Sequence, residues 1–75
     1  MNSEKLAKMI KFHRKKAQLS RNALAELAGV GKTAVFDIEK GKITVQLDTL
    51  QKILHVLNIQ YRFDSAFMNE FNQQF

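Results

Sequence analysis

From Leu6 to Leu57 the apolar residues recur every three or four positions, and small or polar residues interrupt them at 18–20, 29–31 and 40–46. That spacing is the period of helices that bury one stripe. Leu6, Ile10 and His13, flanked by Met9 and Ala17, predict a first helix from Ser3, its candidate cap, to Lys16 or Ala17. Lys5, Lys8, Lys11, Lys15 and Lys16 fill most of its remaining surface. Ser20 is a strong N-cap for a second helix over 21–28, with Leu24, Leu27, Ala23, Ala25 and Ala28 as its buried face. A third helix spans about 32–39 and stops at Gly41. A loop follows, and Thr44 or Gln46 caps a fourth helix over 47–57, with Leu47, Leu50, Ile53, Leu54 and Leu57 as its core stripe. Asp48 suits the dipole of its first turn.

After Asn58 the period changes to two. Ile59, Tyr61 and Phe63 alternate with Gln60, Arg62 and Asp64, which is a strand pattern. No second strand of this quality exists in the chain, and a lone strand leaves its backbone groups unpaired. Pairing with the same segment of a second copy across a two-fold axis solves this; an irregular arm lying on the helices is the alternative. Phe67, Phe71 and Phe75 then stand four apart, one face of a short helix over 66–75 capped by Asp64 or Ser65. So short a helix is marginal unless it packs on something. Its own domain, a second copy and another protein are all open as that target.

Residues 21–40 hold the densest pattern. Ala25 is small enough for the third helix to cross the second closely, Gly29 can take the positive φ of a tight turn, and Val35 and Ile38 share one buried stripe. This is the spacing of a helix-turn-helix, and it turns Lys32, Thr33, Phe36 and Asp37 outward, toward a DNA groove. Twelve Lys and Arg against seven Asp and Glu give a net charge of +5. Such an excess suits a polyanion, because neutralised phosphates release counterions.

Composition mainly excludes. Seventy-five residues allow one domain, and the absence of cysteine rules out disulfides and thiolate metal sites. His13 and His55 lie far apart, so no metal is expected. His13 is read as a core histidine and His55 as a surface residue. No apolar run approaches the ~20 residues of a membrane span, and no secretory leader is visible, so a cytoplasmic location is expected, with association to the nucleoid when operator-bound. Gly29 and Gly31 follow a helix rather than a strand, which removes the context of a nucleotide fingerprint. No nucleophile and base pattern suggests an enzyme, and no cofactor is expected.

Leu19-Ser20-Arg21, Ala25, Gly29-Val30, Val35 and Ile38-Glu39-Lys40-Gly41 resemble the Cro/CI-like, XRE-type helix-turn-helix family, over about residues 6–58. The run 41–57 followed by IQYRF is similar to the HipB-like antitoxin branch, where a fourth helix leads into a short strand that pairs in a dimer. The resemblance implies an all-α, lambda-repressor-like domain of four to five helices over 1–58, with a dimerising strand and aromatic tail over 59–75. It implies that Arg14 pairs with Glu39 structurally, since a partly buried guanidinium needs a carboxylate. Arg21 matches a position, usually glutamine, that approaches a phosphate. Three departures stand out: Gln18 replaces the usual glycine, so that helix end is expected to differ in shape; Ile43 lies where a loop proline is common; and Phe36 and Asp37 are unusual at outward positions.

The expected function is a dimeric, sequence-specific repressor of a palindromic operator. Gly31, Lys32, Thr33, Phe36 and Asp37 would face base edges. Ser20, Arg21, Lys40, Lys42 and Thr44 would hold phosphates. Ile59, Tyr61 and Phe63 would form the dimer, and Phe67, Phe71 and Phe75 a partner tail. Phe36 packing against Arg21 or the first helix is the alternative to base contact. By resemblance, a HipA-type kinase toxin is the second partner; a restriction-modification controller or phage-type repressor without a toxin is the alternative identity.

Overall fold

The computed structural model describes residues 2–42 and 44–75; Ile43, noted above for the missing loop proline, lies outside them. Five helices follow in order: α1 (Ser3–Lys16), α2 (Arg21–Ala28), α3 (Lys32–Glu39), α4 (Leu47–Val56) and α5 (Met68–Gln74). The described residues are all-helical, with no strand. α3 packs on α1 and α2, and α4 packs on α2. Ile10, Leu24, Val35 and Ile53, one from each of the first four helices, are fully buried where these helices meet. Each such side chain contributes roughly 1.5–3 kcal/mol of transfer free energy. Ala25, 1% exposed, is the small residue the close α2–α3 crossing requires.

The first four helices all end the same way. Residue 18, 29, 41 or 58 takes a left-handed conformation, with φ of 60, 71, 82 and 60° for Gln18, Gly29, Gly41 and Asn58. Each donates its N–H back three residues, and the next residue donates back five: Leu19 to Arg14, Val30 to Ala25, Lys42 to Asp37 and Ile59 to Leu54. These paired bonds satisfy carbonyls that the helix end would orphan. Gln18 therefore keeps the shape of the glycine it replaces, against expectation, at the cost of a Cβ in the left-handed region.

Other expectations are corrected. Asn2, not Ser3, caps α1, its Oδ1 accepting from the Lys5 N–H at 2.7 Å. Leu27 and Leu47 are each 63% exposed, although both fall on the predicted stripes. Leu27 sits in the last turn of α2 and Leu47 at the first residue of α4. In this chain α5 starts at Met68, two residues later than the aromatic spacing suggests; neither Asp64 nor Ser65 is its N-cap, although the Ser65 hydroxyl accepts from Phe67 N–H at 3.3 Å. Residues 59–65 form no strand within the chain. They lie as an arm: Ile59 packs on the core, and Tyr61 Oη accepts from Gln51 Nε2 at 2.7 Å.

Candidate DNA-reading surface

Two helices make the surface. α2 begins at Ser20, whose Oγ accepts from Ala23 N–H at 3.0 Å, the expected cap. It ends at Gly29, where a positive φ turns the chain into α3. α3 begins at Gly31 with no side-chain cap, so the amides of its first turn are not engaged by a capping side chain. Gly31, Lys32 and Thr33 are exposed on that first turn, while Val35 and Ile38 are 0% and 3% exposed beneath it.

The far end of α3 is fixed by charge. Arg14 is 7% exposed and grips Glu39 with a fork: Nε donates to Oε2 at 2.7 Å and Nη2 to Oε1 at 3.1 Å. Its Nη1 donates to the Leu19 carbonyl at 2.9 Å, tying in the α1–α2 connection. Arg21 Nε donates to the same Oε1 at 3.0 Å. Glu39 thus joins α1, α2 and α3 at one carboxylate. Burial alone would raise its pKa, but the hydrogen bonds and charges of Arg14 and Arg21 outweigh that and hold it below its ordinary value near 4.5.

The predicted site residues divide on this frame. Lys32 and Thr33 are exposed, and among the described residues they have no ion-pair or side-chain hydrogen-bond partner. Phe36 is half-buried, and the Arg21 guanidinium lies 5.1 Å from its ring centroid, so the alternative packing of Phe36 is realised. Asp37, also half-buried, pairs with Lys42 at 3.3 Å, so a predicted base reader offsets the charge of a predicted phosphate holder. Lys40 and Thr44 are exposed in the segment that follows α3. Ser20 and Arg21 stand at the start of α2, beside the end of α3 through the Glu39 bridge.

Arg21 is the residue whose sequence reading was incomplete. Assigned to phosphate alone, it also completes the Glu39 cluster. The signal was present in the chemistry: a carboxylate has two oxygens and room for more donors than one arginine fills. Its Nε is committed to Glu39 and its guanidinium carbon lies 5.1 Å from the Phe36 ring centroid; among the described residues its two terminal nitrogens have no hydrogen-bond partner, and the side chain is 37% exposed.

Ile59 is half-buried against the core, whereas Tyr61 and Phe63 are 49% and 72% exposed. Phe67, Phe71 and Phe75 are exposed, and among the described residues none of them packs against the core cluster. Among the described residues no cluster of His, Cys, Asp and Glu could hold a metal, and no helix is long and apolar enough to cross a membrane.

No curated protein matches the chain significantly. A helix-turn-helix family profile matches residues 10–63, from the middle of α1 through the arm. With the reading turn, the buried stripe and the arginine–glutamate clasp all inside that span, the chain belongs to the XRE-type helix-turn-helix family of DNA-binding regulators.

Proposed function

We propose that the protein is a dimeric repressor that reads a palindromic operator with α3 in the major groove. One observation carries the reading: the first turn of α3 is exposed and basic, while its other face and its far end are locked into the domain. Gly31, Lys32 and Thr33 reach base edges first, Lys32 toward guanine O6 and N7. Phe36 and Asp37 lie one turn later, Phe36 packed beside the Arg21 guanidinium and Asp37 paired with Lys42, so both support the reading turn more than they extend it. Ser20, Arg21, Lys40, Lys42 and Thr44 flank the groove and hold phosphates. A two-fold pairing through Ile59, Tyr61 and Phe63 sets the two reading helices roughly 34 Å apart, one turn of the duplex.

The likeness of 41–63 to HipB-like antitoxins supports a second activity, neutralising a HipA-type kinase toxin while repressing the shared operon. Co-purification with the product of the adjoining gene tests it. A neighbouring methylase and endonuclease would replace it with the controller reading.

The DNA reading is tested on a duplex selected by the protein from a random-sequence pool. Lys32→Ala with Thr33→Ala lowers affinity roughly 30-fold or more, from about 1–3 kcal/mol for each of the two contacts. The thermal midpoint stays within a few degrees, because both side chains are exposed. Unchanged affinity refutes the groove assignment.

A further inference from the structure

Leu6 and Met9 of α1, Leu47, Leu50 and Leu54 of α4, and Tyr61 of the arm line an open groove of about 620 Å³. It lies away from the reading turn and contains none of the predicted base readers. The same chain carries an apolar surface without a seat. Phe67, Phe71 and Phe75 are 73%, 53% and 88% exposed, and no residue of α5 is buried. Phe71 and Phe75 stack at 4.9 Å between centroids with an interplanar angle of 26°, making one continuous aromatic strip. A seven-residue helix does not hold its shape in water without a packing partner.

We infer that the groove is the seat for α5 of a second copy, each chain lending its aromatic helix to the other. This rests on the two-copy reading above and adds to it which surfaces meet. Two observations select this occupant. The arm 59–64 forms one wall of the groove and leads directly into α5, so two arms meeting at a two-fold axis deliver each α5 to the other copy's groove. Charge does not oppose the match: α5 carries Glu70 with no Lys or Arg, and the charged residues that line the groove, Arg62 and Asp64, pair with each other at 3.6 Å. Area is sufficient. The exposed parts of the three phenylalanines, with those of Leu47, Tyr61 and Phe63, amount to roughly 800 Å² per copy at ~200 Å² for each large side chain, the size of a standard stable interface.

Because the chain has no cysteine, introduced thiols report contacts directly. Full-length Leu47→Cys is mixed with isotopically labelled full-length Phe71→Cys and oxidised, and products are identified by mass. The expected product is a disulfide-linked pair of one labelled and one unlabelled chain. A chain carrying both substitutions gives linked dimers; an internally linked monomer would show α5 in its own groove and overturn the exchange. Phe71→Ser with Phe75→Ser weakens self-association roughly 100-fold, with the helical circular dichroism signal of α1–α4 retained. Full-strength dimers of that variant would overturn the inference and leave the arm pairing standing. An unsubstituted chain that sediments as a monomer at DNA-binding concentrations overturns both.

Discussion

Replacing Glu39 with glutamine keeps the shape of the side chain and removes its charge. Arg14, 7% exposed, is then left with an uncompensated guanidinium inside the domain. Removing one partner of a buried pair costs about 3–5 kcal/mol. Here the loss is smaller, because the Leu19 carbonyl still accepts from Nη1 and the glutamine oxygen can take one more bond. Roughly 2–4 kcal/mol remains, against a total stability of roughly 4–11 kcal/mol for a domain of this size. That corresponds to a fall in Tm of roughly 8–30 °C, read by thermal circular dichroism at pH 7. The pH dependence has a definite sign. The folded-state pKa of Glu39 lies below its ordinary value, so the unfolded chain binds the proton more tightly. The clasp therefore contributes fully at neutral pH, and its contribution is lost as pH falls below about 4.5 through the folded value. The gap between wild type and Glu39→Gln stays constant near neutrality and closes in acid. A Glu39→Gln chain melting within two or so degrees of wild type at pH 7 would refute the reasoning that this carboxylate fastens three helices.

Arg21→Met keeps an apolar body over Phe36 while removing one charge. Its side chain is 37% exposed, so the stability cost should stay under about 1 kcal/mol, whereas the slope of log affinity against log salt should shrink by about one; an unaltered slope would remove Arg21 from the phosphate set. The left-handed helix ends give opposite expectations. Nothing lies within 4 Å of a Cβ built on Gly29, so Gly29→Ala meets conformational strain alone and loses about 1 kcal/mol, while Gln18→Gly relieves it and gains up to about 1 kcal/mol. Urea midpoints measure both, and a stabilised Gly29→Ala would contradict the assigned turn.

Most of the helical frame is legible in the sequence, because local rules set it. The bounds of α2 and α3 follow from Ser20, Gly29 and Gly41, whose cap and turn chemistry acts within a few residues. The Arg14–Glu39 pair is separated by 25 positions and no periodicity reveals it; the family resemblance supplies it. Leu27 and Leu47 mislead for a physical reason: periodicity gives the direction of a side chain, not whether another element stands opposite. Both lie at helix ends, where the stripe runs past the core. Arg21 is only half legible, since its chain position marks an approach to phosphate while its second task depends on where the end of α3 arrives. The alternation at 59–64 encodes two faces, yet among the described residues of one chain it finds no strand partner: Ile59 packs on the core and Tyr61 bonds Gln51.

The four matching helix ends bear on how quickly this domain can assemble. Each stop is closed by hydrogen bonds spanning three and five residues, and three of the four deliver an apolar side chain, Leu19, Val30 or Ile59, against the core straight afterwards. Reversals of this kind close no long loops and so pay little loop entropy before contacts reward them. Topologies dominated by such local closures fold in microseconds to milliseconds. Gln18 and Asn58 are the two corners where the reversal must bend a residue with a Cβ, and since asparagine tolerates the left-handed region better, Gln18 carries the larger strain.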